Sequence, residues 1–409
     1  MIGIEWLNVY AGLAGIALTE LFDGRGLDHD RLANLMMERR SVGLPFEDPV
    51  TNAVNAAKPL VDALTPGERA RIELLVTSTE SGVDYSKSVA SYVHEHLGLS
   101  RSCRVLEAKQ ACYAATGMVQ LAAGWLASGH SPGARALVIA TDVAVVDEYA
   151  QYAEAATGHG AAAVLLGDQP RILAIDPGAY GLHSYETLDS ARPEPTLDIA
   201  DADRSLFAYL DCLTRSFADY ADRVEGADFA TTFDRLVLHT PFAGLVKAGH
   251  RKMMREHTAV GAEAVEADFA RRVAPSLAYP QVVGNLCSGS VYLALASTID
   301  RAPVQRPERV GLFSYGSGCA SEFLSGVVAP EAGPELGRMR IAERLAARRA
   351  VGFEEYTRLL KETRRCLVPE RDRRVDPEDW WDFADRAAHP GELLVLTGVE
   401  NHHRRYDWR

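Results

Sequence analysis

The chain has 409 residues, 47% of them hydrophobic and 24% charged, enough for one large α/β unit with two halves or for two to three ordinary domains, and too apolar for a disordered protein. Its formal net charge of -13 argues against a nucleic-acid partner gripped by a broad basic surface. No apolar run is long enough to span a bilayer, and the N-terminus carries Glu5 without a signal-peptide pattern. The six cysteines are scattered singly with no CxxC pair, so a reduced, cytoplasmic protein with no membrane contact, disulfide framework or metal is expected.

In chain order, a first strand is expected over residues 2–10 and a helix over 28–38, capped by Asp28 or Asp30. A Pro-bounded polar segment then leads into an apolar helix over 50–64. The run IELLVTST (72–79) reads as a central strand ending at Glu80, followed by a helix over 86–97. Val105 and Leu106 lie in another short buried strand. After the turn Lys109-Gln110-Ala111, residues 112–128 are small or apolar on every face, which predicts a helix buried all round with Cys112 at its N-terminus. There the macrodipole should make the thiol acidic and nucleophilic. Strands follow at 135–142 and 159–168.

Residues 169–235 are more polar, and the loop RPEPTLDIADADRS between helical stretches marks the joint between halves. The second half repeats the alternation: strand 235–239, helix 252–271, the segment GNLCSGSVYLALAST (284–298) as an echo of the cysteine helix, and strand-turn-strand over 309–328. A surface helix and a closing strand with a basic tail complete the chain. His402 and His403 are adjacent on that strand, point to opposite faces, and read as surface residues.

Glu80, Cys112 and His239 each fall at a strand end or helix start, with Asn285 and Ser314 in polar turns between buried segments. Ligands of α/β proteins bind outside the carboxyl ends of strands. A thiol, a carboxylate and an imidazole together can form an acyl-thioester, turn it into a carbon nucleophile and condense it with a carbonyl. Gly316 and Gly318 in SYGSG would let backbone N–H groups approach an oxyanion.

The motifs ESG with Glu80, KQACYAAT with Cys112, HTPF with His239, GNLCSGS with Asn285 and SYGSG with Ser314 occur in the order and spacing of the 3-hydroxy-3-methylglutaryl-CoA synthase family. EDPVTNAVNAAKP and TGVENHHRRY extend the resemblance almost end to end. MMERRSVGLPFEDP and HTPFAGLVKAGHR resemble most the polyketide branch, the 3-hydroxy-3-methylglutaryl-ACP synthases.

The resemblance implies a thiolase fold, an α/β architecture of five αβαβα layers with two similar halves (1–172 and 173–409), usually a homodimer. It implies that Cys112 takes an acetyl or similar acyl group from a donor acyl carrier protein and that Glu80 makes the enolate. The enolate attacks the β-carbonyl of a chain on an acceptor carrier protein, with His239 and Asn285 at the resulting alcohol. Backbone N–H groups near Cys112 and Ser314 would form the oxyanion hole, and the substrates would be phosphopantetheine-linked, with no tightly bound cofactor. Tyr149 or Tyr152, and Thr157, would line the acyl pocket. Where primary-metabolism relatives carry a CoA-holding lysine this chain has Gly244, leaving Lys247, His250 and Arg251 as phosphate contacts. Arg39 and Arg40, or Arg251 and Lys252, are docking candidates. Cys287 reads as packing or lining. Other readings are a primary-metabolism synthase using acetyl-CoA and acetoacetyl-CoA, an initiating β-ketoacyl-ACP synthase, and a non-catalytic carrier-binding scaffold.

Overall fold

The computed structural model describes residues 1–143, 150, 152–195, 197–385 and 387–409. Nine strands form its main sheet, in the spatial order Arg235–Leu238, Glu308–Gly316, Ala320–Val328, Leu173–Ser184, Gly3–Tyr10, Gly160–Gly167, Arg135–Asp142, Ile72–Ser78 and Arg104–Ala108. The order contains an internal repeat. In the N-terminal half Ile72–Ser78 runs parallel to Arg135–Asp142, which is antiparallel to Gly160–Gly167, itself antiparallel to Gly3–Tyr10. In the C-terminal half Arg235–Leu238, Glu308–Gly316, Ala320–Val328 and Leu173–Ser184 follow the same sequence of directions. The two half-sheets meet through Gly3↔Ala174 and Ile4↔Leu173. Arg104–Ala108 has no counterpart and stands at the edge.

The strands Gly3–Tyr10, Arg135–Asp142 and Gly160–Gly167 are buried along their whole length, as strands covered on both faces must be, whereas Arg104–Ala108, expected to be buried at Val105 and Leu106, is a partly exposed edge strand. The helix Pro49–Asp62 packs on Gly3–Tyr10, Arg135–Asp142 and Gly160–Gly167, and Ala202–Arg223 packs on Leu173–Ser184 and Ala320–Val328. Between the halves lies Ser290–Arg301, which touches strands of both. Thr116 of the companion helix Ala114–Ala127 meets Tyr292 through their hydroxyls at 3.2 Å. Helix, half-sheet, helix pair, half-sheet, helix is the expected five-layer order.

The polar lead-in to Pro49 is a capping box: Asp48 accepts from the N–H groups of Val50 and Thr51, and Thr51 Oγ1 accepts from Asp48 N. The other Asp48 oxygen is held by Arg404 and Tyr406 at 3.0 and 2.8 Å, so the expected basic tail is a hairpin strand, His403–Trp408, that buries Arg404, while His402 and His403 are exposed.

Three further expectations are corrected. Residues 169–235 supply the sheet strand Leu173–Ser184, a hairpin of Ser190–Glu194 with Leu197–Ala200, and the helix Ala202–Arg223, so the loop expected at RPEPTLDIADADRS is mostly hairpin and helix start. The helix expected over 252–271 is two, Ala243–His257 and Ala262–Arg272, interrupted by extended backbone at Thr258. The helix expected over 28–38 is the short Asp30–Leu35, because Met36 turns left-handed and Arg39–Val42 enters a small sheet.

A buried polar network ties the first strand to this frame. Tyr10 Oη donates to Glu47 Oε1 at 2.6 Å, Leu44 N to Glu47 Oε2 at 2.8 Å, and the His159 ring lies 3.8 Å away. Burial pushes the Glu47 carboxyl up to about 7 and the His159 imidazole down to about 3. A carboxyl raised in the folded state costs nothing below its unfolded value, and its cost grows as pH rises toward the folded value. Glu47→Gln should therefore gain stability relative to the parent between pH 5 and 8, by up to roughly 3 kcal/mol. Urea melts at those two pH values test this; parallel shifts would remove Glu47 as the titrating group.

Candidate active site

The parallel strands Ile72–Ser78, Arg104–Ala108 and Arg135–Asp142 deliver Glu80, the Cys112 turn and Asp142 to one edge of the sheet. Cys112 lies in the 3₁₀ turn Ala111–Tyr113 that precedes Ala114–Ala127. Its Sγ donates to Glu80 Oε1 at 3.4 Å. Cys287, in a second 3₁₀ turn, brings its thiol into the same cluster: the two sulfurs and a Glu80 carboxylate oxygen lie within 4.8 Å of one another. Both turns contain non-glycine residues with positive φ, Ala111 at 42° and Cys287 at 48°, a conformation that costs on the order of 1 kcal/mol each.

The acidity expected for Cys112 is overturned. The Cys287 thiol, donating to the Cys112 sulfur, pulls its pKa down, but burial and the carboxylates of Glu80 and Asp142 outweigh this and push it up to about 11. A helix terminus contributes a partial charge, whereas a carboxylate beside the thiol contributes a larger one. Cys112 is therefore a neutral thiol at pH 7, and ionising it requires a base.

Glu80 is held by its backbone: its N–H donates to Asp142 Oδ1 at 2.8 Å, an oxygen shared with Thr79 and Ser81. Burial, then the neighbouring Glu80 charge, raises the Asp142 carboxyl. Arg192, from the hairpin strand Ser190–Glu194, reaches in to donate to Glu80 O at 3.3 Å and Ser81 Oγ at 3.4 Å, while pairing with both oxygens of Asp198. Asp142 and Arg192 escaped sequence reasoning, while Cys287, read as packing or lining, does stand beside Cys112 and Glu80. The one legible signal was Asp142 at the end of the apolar run 135–142.

From the other half, the parallel pair Arg235–Leu238 and Glu308–Gly316 places His239 beside Tyr315, with ring centroids 6.4 Å apart. His239 is fully buried, its Nδ1 has no hydrogen-bond partner, and burial lowers its pKa to about 3, so it is a neutral imidazole. Ser314 sits within a strand opposite Glu322, not in a turn, and its buried Oγ is unpartnered. A Cβ on Gly316 would stand 2.5 Å from Gln110 O and 2.6 Å from Tyr113 N. This glycine thus lets the Cys112 turn dock against the second half. The Asp189 carboxylate braces the following turn, accepting from Tyr315 Oη at 2.6 Å and Gly318 N at 2.9 Å.

Asn285 and Thr157 are paired by a β-bridge, and Asn285 Oδ1 accepts from Ser290 Oγ at 2.6 Å. Tyr149 lies outside the described residues; Tyr152 opens the short helix Tyr152–Ala156.

The basic contacts fare unevenly. Arg40 is buried and bound to Glu154 O and Tyr356 Oη, and His250 is buried against Asp268, so neither presents its charge to a phosphate. Lys247 is paired with Glu266 at 2.5 Å and Lys252 with Glu256 at 2.6 Å, while Arg251 is exposed. At Gly244 a Cβ would stand 1.9 Å from Asn34 O, so no longer side chain fits there without moving the helix Ala243–His257.

Residues 60–171 match the family model for the hydroxymethylglutaryl-coenzyme A synthase N terminal, and residues 255–378 that for its C terminal. The chain is 44% identical over 415 residues to the polyketide biosynthesis 3-hydroxy-3-methylglutaryl-ACP synthase PksG of Bacillus subtilis, covering 99% of each. It is 30% identical to a hydroxymethylglutaryl-CoA synthase of Enterococcus faecalis, over 88% of this chain and 92% of that one. Among solved structures, the curacin biosynthetic pathway HMG synthase in complex with acetyl donor-ACP matches with a TM-score of 0.96 at 45% identity, covering 100% of both chains.

Proposed function

Because the chain belongs to the hydroxymethylglutaryl-CoA synthase family, we propose that it joins an acetyl or similar short acyl group, delivered to Cys112 by a donor acyl carrier protein, to the β-carbonyl of a β-ketoacyl chain on an acceptor carrier protein. Hydrolysis then leaves a 3-hydroxy-3-carboxymethyl branch. The observation that carries this reading is the 3.4 Å contact between the Cys112 thiol and Glu80.

In the first step Glu80 takes the thiol proton, the thiolate attacks the donor thioester, and the pantetheine thiol leaves with a proton. Next, Glu80 lies within reach of the methyl of an acyl group on that same sulfur. It removes a methyl proton, and backbone N–H groups around Cys112 and Ser314 stabilise the enolate oxygen. The enolate carbon bonds to the β-carbonyl carbon, and neutral His239 donates a hydrogen bond or proton to the oxygen that becomes the alcohol. Water finally cleaves the thioester to Cys112. Carrier delivery is supported by the likeness to PksG and to the curacin synthase solved with its donor carrier, and by the absence of room for a lysine at Gly244.

The working unit in this reading is a homodimer in the cytoplasm. Among the described residues, no helix is long and apolar enough to cross a membrane. Arg104–Ala108 is an edge strand, and beside it Leu106 and Leu121 are 40% and 67% exposed. With Met118 and Trp125 they line an apolar hollow of about 460 Å³. The all-apolar helix predicted from the sequence thus has one bare face in a single chain, and a second copy would cover it. Leu121→Glu should convert a dimer to monomer in light scattering; a parent protein that is already monomeric contradicts the assignment.

Intact-protein mass spectrometry tests the donor. An acetyl adduct on Cys112 should form from acetyl carrier protein and hardly from acetyl-CoA. Equal loading from both would favour a primary-metabolism synthase, and no adduct from any donor would favour a binding scaffold.

A further inference from the structure

We propose that Cys112, Cys287 and Glu80 form a binding site for a thiophilic divalent cation, with Zn²⁺ as its representative, and that occupancy shuts the site by capturing the thiol and the carboxylate together. The inference goes beyond the proposed reaction and does not depend on it. The ligand set is defined by positions alone.

The geometry comes first. In a tetrahedral Zn²⁺ site, with Zn–S about 2.3 Å and Zn–O about 2.0–2.2 Å, sulfur ligands stand about 3.8 Å apart and sulfur and oxygen about 3.5 Å apart. Here Cys112 Sγ and Glu80 Oε1 are 3.4 Å apart, and all three ligand atoms lie within 4.8 Å of one another. Side-chain rotations of about 1 Å or less close the set. Each ligand stands on its own anchored turn: Cys112 on the one docked at Gly316, Cys287 on the one next to the Asn285–Thr157 bridge, and Glu80 on the one bonded to Asp142. The three come from distant parts of the chain, so no CxxC spacing announces them.

Charge points the same way. Glu80 and Asp142 are adjacent, and Asp142 Oδ2 is buried with no hydrogen-bond partner. Arg192, the guanidinium that reaches this cluster, is engaged by both oxygens of Asp198. Two carboxylates and two thiols thus share little positive charge, which a divalent cation supplies. Binding is not a redox step: Zn²⁺ takes two thiolates and one carboxylate, two protons pass to solvent, and water completes the tetrahedron. Two sulfur ligands select Zn²⁺ or Cd²⁺ over Mg²⁺ and Ca²⁺.

The test is titration of the full-length protein with Cd²⁺, following the ultraviolet thiolate-to-metal charge-transfer band. The parent should saturate at one cation and Mg²⁺ should not compete. Cys287→Ser and Glu80→Gln should each weaken binding at least tenfold. The other close pair, Cys212 and Cys319, whose sulfurs are 3.4 Å apart, serves as the control: Cys319→Ser should leave the titration unchanged. Zn²⁺ inhibition of Cys287→Ser and Cys319→Ser, each scored against its own metal-free rate, should follow the same ranking. A band that titrates with undiminished affinity in Cys287→Ser, or that disappears in Cys319→Ser instead, overturns the proposal. Because the band is read without turnover, failure of the proposed reaction would leave this result standing on its own.

Discussion

Replacing Cys112 with alanine should remove the acyl-enzyme and, with it, all condensation, while binding of acylated carrier protein persists. The expectation is specific because a second thiol stands close by. Cys287 donates to Cys112, and that hydrogen bond, followed by burial, pushes its own pKa well above the usual thiol range. In Cys112→Ala that hydrogen bond is gone, but burial and the Asp142 and Glu80 charges still hold the Cys287 thiol above its usual range, which keeps thiolate, the nucleophile, scarce. Peptide mapping of Cys112→Ala after incubation with acetyl donor should find no label on Cys287. A labelled Cys287, or condensation that continues, would mean that the nucleophile has been misassigned.

Glu80→Gln should separate the two halves of the reaction. The Glu80 charge raises the Cys112 pKa, so its removal offsets part of the loss of the base that takes the thiol proton, and acylation should slow less than condensation. Enolisation has no such compensation. Loss of a positioned base typically costs 10²–10⁴ in rate, so condensation should fall by about that factor. The acyl-Cys112 species should then accumulate toward one per chain in intact mass spectra. A variant that neither loads nor condenses would show instead that acylation needs Glu80 as much as enolisation does.

The strand ends carrying Glu80 and His239 were readable because each follows a run of apolar residues buried in the sheet, whereas Cys112 follows a partly exposed edge strand and was readable from the small and apolar residues of the helix behind it. The repeat of the two halves was readable in the same way. What escaped depends on contacts between distant segments. Arg192 sits in a polar hairpin flanked by Pro193 and Pro195 that has no periodicity to mark it, and only the fold brings it to Glu80. Arg40 and His250 read as surface charges in motifs, yet the network with Glu154 and Tyr356 and the pair with Asp268 bury them. The acidity of Cys112 was misjudged for a related reason: the helix start is visible in one segment, but the opposing carboxylates arrive from two others.

The most direct measurement is the mass and connectivity of the acceptor carrier protein after reaction with acetyl donor carrier and enzyme. Condensation at the β-carbonyl predicts an acceptor chain heavier by one acetic acid unit, still joined through its original thioester and carrying a free carboxymethyl branch and a tertiary alcohol. An acceptor chain transferred off its carrier and lengthened at the thioester end would contradict it and move the protein to the chain-extending condensing enzymes.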